Sequence, residues 1–204
     1  MSNPGSLVSV DVITLRYNPE LRRVEVATRP RTTEPYLGLH ALPGVLLWEG
    51  ERLAAAAHRA VVSKVGFDVS ALGQLTVFDQ PNRDPRGFSL SVAMWAVGEG
   101  TSDWYSFDDV PKLAFDHNVM LFECRPLLVD MLWRDLEFTR ALTGPLFPVS
   151  AAVGITQTLS GIAPDRGNLN RRLASLRGLT VSSKRVVLGR GRPGTVWEWE
   201  NPAA

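Results

Sequence analysis

Residues 42–67, LPGVLLWEGERLAAAAHRAVVSKVGF, hold the first group of side chains that could do chemistry. A glycine-bearing turn leads into Glu51, Arg59 follows eight positions later, and Gly66-Phe67 closes the run between them. No carboxylates line its helical part. A second group is Arg83, Asp84 and Arg86. It reads either as a turn ended by Gly87 or as a polar rim whose guanidinium forks suit diphosphate oxygens. Asp116-His117 stands before an apolar run and reads as a helix N-cap, with a place in a ligand cleft as the other reading. The third group is Arg166, Asn168, Asn170, Arg171 and Arg172, followed by Lys184, Arg185, Arg190 and Arg192 around Gly-Arg-Gly-Arg-Pro-Gly. Arg pairs with guanine and Asn with adenine through two hydrogen bonds each, so the chemistry this group fits is base reading beside phosphate contact. A structural hairpin with a solubilising tip is the plainer reading of its second half.

These groups need elements to hold them. The alternating, Val-rich runs 7–17 and 22–28 predict two strands around the Asn18-Pro19-Glu20 turn. Leu53, Ala57, Val61 and Val65 have helical spacing over 51–65, and Gly66 stands where a left-handed C′ residue belongs. Strands are expected at 73–80 and 88–97, a strand or loop at 102–110, and a helix over 118–134. Residues 136–150, with Gly144-Pro145 and Pro148, read as a junction between domains. Beyond it Ser150 can cap a helix ending at Gly161, and Asp165 can cap a second over 166–177. Leu169, Leu173 and Leu176 then face a core and leave the Arg and Asn side chains outside. A helix, a tight turn, a second helix rich in Arg and Asn, and a basic hairpin arrive in the order of a winged helix-turn-helix.

Composition sets the outer bounds. The 204 residues are 45% hydrophobic and 21% charged, enough for one or two globular domains. No apolar run nears the roughly 18 residues that span a bilayer, and no basic region precedes the first apolar stretch as in a secretion signal. The expectation is a cytoplasmic protein without a membrane partner. The single cysteine, Cys124, excludes a disulfide framework and reads as a buried filler thiol. His58 reads as a solvated helix residue, and His40 has no pattern around it. The net charge of +1 hides an asymmetry: residues 146–204 hold eight Lys/Arg against three Asp/Glu (+5), leaving fourteen against eighteen (−4) elsewhere. A basic C-terminal piece points to nucleic acid.

Residues 42–67 resemble a degenerate Nudix box, whose pattern is G, five residues, E, seven residues, then REUxEExGU with U aliphatic. Glu51, Arg59, Gly66 and Phe67 match it, while Val45 stands at the first glycine. The three helix carboxylates of the pattern fall on Ala60, Ser63 and Lys64. RDPRGFSLSVAMWAV (83–97), KLAFDHNVML (112–121), DRGNLNRRL and GRGRPGTVW are similar to segments of the Nudix-related transcriptional regulators, and the resemblance covers nearly the whole chain. In that family the helix acids hold Mg²⁺ against a diphosphate. Mg²⁺ demands carboxylate oxygens in near-octahedral order, which a hydroxyl and an ammonium do not supply.

The resemblance implies an α+β chain: a Nudix-like α/β/α sandwich over 1–138, non-catalytic and effector-sensing, followed by a winged helix over 146–204. It implies a repressor of NAD-related genes that binds a palindromic operator in double-stranded DNA as a homodimer. ADP-ribose is the implied effector, with another nucleotide or sugar kept open, and no cofactor or metal is expected. Glu51, Arg59, Arg83, Asp84, Arg86 and His117 are the expected effector contacts, and no catalytic residue is assigned. Two other functions are weighed: a Mg²⁺-dependent hydrolase of ADP-ribose-type diphosphates, and an adaptor whose C-terminal domain binds protein rather than DNA.

Overall fold

Val and Ile at alternate positions favour a pleated chain, and the N-terminal run forms strand β1 (Leu7–Asn18). The Asn18 side-chain oxygen accepts the N–H groups of Glu20 and Leu21, both at 3.1 Å, and turns the chain into β2 (Arg23–Pro30). The computed structural model describes residues 7–184 and 194–200. Two units separate by their internal packing: residues 7–16 with 25–127, and residues 17–24 with those described from 128 onward.

The first unit continues through β3 (His40–Ala41), β4 (Gly44–Leu46), helix α1 (Leu53–Val65), β5 (Val69–Phe78), β6 (Ser89–Gly98), β7 (Asp103–Ser106) and the part of α2 (His117–Met131) up to residue 127. Among the described residues seven strands make one mixed sheet in the order β3-β2-β1-β6-β5, with β4 also on β1 and β7 on β2. The β1–β6 pair is parallel, in register from Leu7↔Ser89 to Leu15↔Val97. Residues 10–15 of β1 are all buried, so both faces of this strand are covered. The start of α1 at Leu53 and its left-handed end at Gly66 (φ 79°) agree with the sequence signals. Its inner face, Ala56, Ala57, Ala60, Val61 and Val65, packs with Val10, Val12, Val92, Met94 and Ala96. Small alanines let the helix lie close to the sheet. Ala60 is fully buried there, so one of the acid positions of the box has become core.

The second unit holds α3 (Leu136–Thr143), β8 (Leu146–Pro148), α4 (Val149–Ser160), α5 (Arg166–Ala174), β9 (Leu179–Val181) and β10 (Val196–Trp199). Its three strands run antiparallel in the order β8-β10-β9. The expected junction at 136–150 is partly a helix: the Asp135 carboxylate accepts the Phe138 N–H at 3.0 Å, and Phe138, Thr139 and Leu142 are buried. The packing division therefore falls earlier, between 127 and 128. Pro148, not Ser150, is the N-cap of α4, and Ser150 lies inside that helix. Asp165 caps α5 as expected, through the Asn168 N–H at 2.7 Å. That helix stops at Ala174, short of 177, and leaves Leu169 and Leu173 as its buried face. Trp133, Phe147 and Trp199 form the aromatic centre, with ring centroids 6.3 and 6.4 Å apart. The Trp133 and Trp199 indoles donate to the hydroxyls of Thr156 and Thr143, each at 3.0 Å. No helix of the described residues is long and apolar enough to cross a membrane.

Gly154 on α4 faces the tip of the β1–β2 hairpin within this unit. A Cβ there would stand 2.4 Å from the Arg22 carbonyl oxygen. Gly154→Ala gains about 1 kcal/mol in helix propensity, yet it must push a backbone segment away. We expect a net loss of about 1–3 kcal/mol, read by urea unfolding; a variant more stable than the parent would show that this close approach imposes no constraint.

Candidate functional site

Asp11 lies on the face of β1 opposite Val10 and Val12 and is almost wholly buried. The hydroxyls of Ser9 and Ser91 donate to its Oδ2 at 3.0 and 2.6 Å. On its other side, His117 Nε2 is 3.6 Å from Oδ1 and Arg83 Nη2 is 3.9 Å from Oδ2. Gly44 leaves room for this carboxylate, since a Cβ there would fall 2.0 Å from Oδ1. The box pattern places its glycine at Val45; the glycine that the packing needs is the residue before it.

Arg83 is buried and forks onto Asp116, with Nε–Oδ2 at 2.9 Å and Nη2–Oδ1 at 2.8 Å. The Asp116 carboxylate is thus an ion-pair partner rather than the expected N-cap of α2. Arg86 closes on Asp84, with Nη2–Oδ2 at 2.6 Å, and this hydrogen bond holds the Asp84 carboxyl below its ordinary range. The segment 83–87 is a turn, and its three charged side chains also line a cleft, with the guanidinium forks engaged by Asp116 and Asp84. His117 begins α2 and is buried. Its Nδ1 accepts the Leu42 N–H at 3.0 Å, so in the neutral ring the proton resides on Nε2, toward Asp11. Burial pushes its pKa below the ordinary value, against the pull of Asp11.

At the mouth, Arg59 grips Glu51 in a bidentate pair, Nε–Oε1 at 2.8 Å and Nη2–Oε2 at 2.7 Å. The guanidinium lowers the pKa of Glu51 and lies over the Trp48 ring, 3.7 Å from its centroid. Arg59 lines the cleft, whereas Glu51 acts as its brace. Sequence reasoning missed Asp11, Arg31, Trp48 and Phe115, all of which line the same space. Arg31 lies over the Phe115 ring at 4.6 Å and donates to the Pro35 carbonyl at 2.7 Å. The only sequence signal for Phe115 was its place beside Asp116-His117; Asp11 and Arg31 gave none.

The cleft encloses about 320 Å³. Arg31, Arg59, Lys64, Arg83 and Arg86 line it against Asp11 and Asp84; with Glu51 and Asp116, which pair Arg59 and Arg83 from behind, the five cations exceed the four acids by one. An adjoining cavity of about 460 Å³ carries Ser63 and shares Arg31, Gly44 and Lys64 with the first. Such a wall is made for an anion with several oxygens. It does not fit the divalent cation of an intact Nudix box, because the box positions offer a buried methyl, a neutral hydroxyl and an ammonium. Among the described residues no three His, Cys, Asp or Glu side chains gather as metal ligands.

Elsewhere, Cys124 is buried and its thiol is pushed up to about 12, which suits an inert filler. His58 is not simply solvated: it pairs with Asp68 at 2.6 Å. On α5, Arg166, Asn168, Arg171 and Arg172 are exposed, and Arg171 donates to Asn168 Oδ1. Asn170 instead turns its Oδ1 inward without a hydrogen-bond partner, and Arg172 donates to the Trp133 carbonyl at 3.1 Å. Lys184 pairs with Glu198 at 2.5 Å. Arg185, Arg190 and Arg192 lie outside the described residues.

The mixed sheet with α1 laid on it, and the cleft over the buried Asp11, make a unit with the Nudix-like fold of the solved structures it matches, here followed by a second unit. No family model matches the chain. It is 25% identical to the ADPR-responsive transcriptional repressor NtrR of Acinetobacter baylyi, over 96% of this chain and 83% of that protein. Shewanella oneidensis NrtR, in its structure complexed with a 27mer DNA, superposes with a TM-score of 0.78 at 23% identity, covering 95% of this chain and 93% of that one. The NUDIX domain of the same protein, in its structure complexed with ADP ribose, matches at 26% identity with a TM-score of 0.55, over 62% of this chain and 91% of that domain. The resemblance to the Nudix-related transcriptional regulators holds along nearly the whole chain.

The His117 geometry sets a pH dependence. Its folded pKa is depressed, so its contribution to stability is complete above the unfolded value near 6.5 and is lost as pH falls below that. Protonated Nδ1 would meet the Leu42 N–H donor to donor. His117→Asn keeps an acceptor for that N–H and removes the titration. We expect the parent's unfolding midpoint to fall more steeply than the variant's between about pH 6.5 and 5; parallel curves would mean that His117 is not the sensitive group.

Proposed function

We propose that the protein is a DNA-binding transcriptional repressor whose Nudix-type unit senses ADP-ribose, or a related nucleotide sugar, without hydrolysing it. The observation that carries this reading is the pairing of a cation-lined cleft lacking the metal-binding acids with a second unit that a hydrolase does not need. That unit runs helix, strand, two helices and two strands, the order of a winged helix. Its recognition helix is α5. Arg166, Asn168, Arg171 and Arg172 are the proposed base readers, Arg172 giving up its hydrogen bond to the Trp133 carbonyl on contact; Asn170 leaves this list because its Oδ1 is buried. Lys184, Arg185, Arg190 and Arg192 are assigned to phosphates. In the cleft, Arg31, Arg83 and Arg86 address the diphosphate, and the exposed face of Trp48 offers the base a stacking surface.

The names of the relatives support the same roles, a repressor that responds to ADPR and a NUDIX domain with ADP ribose. A homodimer would set two α5 helices roughly 34–36 Å apart on a palindrome, upstream of genes of NAD metabolism. ADP-ribose releases the DNA only if it binds the DNA-free arrangement more tightly.

Fluorescence polarisation with DNA from upstream of the gene's own neighbours tests this. With six to ten phosphate contacts, affinity falls about 10³–10⁵-fold between 50 and 200 mM salt, and ADP-ribose releases the probe. Arg171→Ala weakens binding by about 10–100-fold with an unchanged melting temperature. Salt-insensitive binding would favour an adaptor, and Mg²⁺-dependent release of AMP from ADP-ribose would favour a hydrolase.

A further inference from the structure

Five cationic side chains line the cleft, and four of them are committed. Arg59 is held by Glu51, Arg83 by Asp116, Arg86 by Asp84, and Arg31 by the carbonyls of Pro35 and Thr33. Lys64 is the exception: among the described residues its ammonium has no ion-pair or hydrogen-bond partner. It stands on the wall common to both cavities, beside Gly44, where the backbone carries no side chain. It also stands at a box position where the family pattern has a metal-binding glutamate.

Replacing a glutamate by a lysine at one point changes the local charge by two units in the positive direction. A divalent cation held by a carboxylate presents a net positive charge to a diphosphate, and an ammonium on the protein does the same without an ion. We propose that Lys64 is a resident substitute for the divalent cation, so that the cleft takes a nucleoside diphosphate sugar as the metal-free anion and discriminates against its Mg²⁺ complex. This rests on the sensor reading above and adds to it the form of ligand that is recognised. Ser63, on the adjoining cavity, contributes a neutral hydroxyl that can donate to an oxyanion and has little to offer Mg²⁺. Mg²⁺ on the ligand would mask the oxygens that Lys64 and the arginines address, and it would meet repulsion from the unpaired ammonium.

Calorimetric titration of the full chain with ADP-ribose, once in EDTA and once in excess Mg²⁺, decides the matter. The expected result is binding in EDTA that is weakened, and not tightened, by Mg²⁺. Lys64→Met keeps the aliphatic stem and removes the charge. It should lose about 10–100-fold in EDTA, as for one charge-assisted hydrogen bond, with an unchanged melting temperature. Heat in Mg²⁺ alone, or a methionine variant that binds in EDTA like the parent, overturns the role of Lys64 and leaves the sensor reading standing. A parent protein that gives no heat in either buffer overturns the sensor reading itself.

Discussion

The carboxylate of Asp11 is the constraint around which the first unit is arranged. A charge-bearing group inside a sheet is costly unless it is surrounded by donors. Two serine hydroxyls, from β1 itself and from its parallel neighbour β6, donate to one oxygen, while His117 and Arg83 approach from α2 and from the loop before β6. Each partner is fixed in turn: Arg83 by Asp116, His117 by the Leu42 N–H, and the oxygen's clearance by the missing Cβ of Gly44. One buried acid thereby ties the β1–β6 register, the β3–β4 turn and the first turn of α2 into one polar centre. The cleft is the open side of that centre.

The same arrangement explains how a Nudix frame persists without its acids. The Glu51–Arg59 pair and the glycine stop of α1 shape the wall whether or not a metal is bound, because they hold backbone and guanidinium rather than an ion. Ala60 lies in the core, so a carboxylate at this position would be buried among alanine and valine. Ser63 and Lys64 are on the exposed side, where a change of charge costs the fold little and alters only what the cleft attracts. The frame can therefore persist while the charge at these positions changes.

The second unit depends on a different interaction. Three aromatic rings, from the stretch before α3, from β8 and from β10, meet in a core closed by α4 and α5, and two indole N–H groups are satisfied by threonines. That core fixes the roll of α5 through Leu169 and Leu173, which in turn sends Arg171 and Asn168 outward and Asn170 inward. The direction of these side chains, and not the helix's composition, separates solvent-facing residues from packing residues.

Features governed by neighbours in the chain were legible from residue order. The caps at Gly66, Gly161 and Asp165, the apolar face of α1, the Val-rich strands and the Arg–Asn helix all follow from contacts one to four residues apart. The α3 helix was hidden only because Gly144-Pro145 drew attention to a break; its Asp135 cap and the i, i+4 pair Phe138 and Leu142 were equally local. Asp11 and Arg31 belong to the other category. A single acid on an alternating strand looks solvent-facing, and an arginine in a proline-rich loop looks free. Burial of the one and the cleft position of the other arise when β6, β4 and α2, dozens of residues away, close around them. Such long-range encounters carry no signature in the spacing of nearby residues, so only the folded chain could reveal which charges face one another and which, like Lys64, face none.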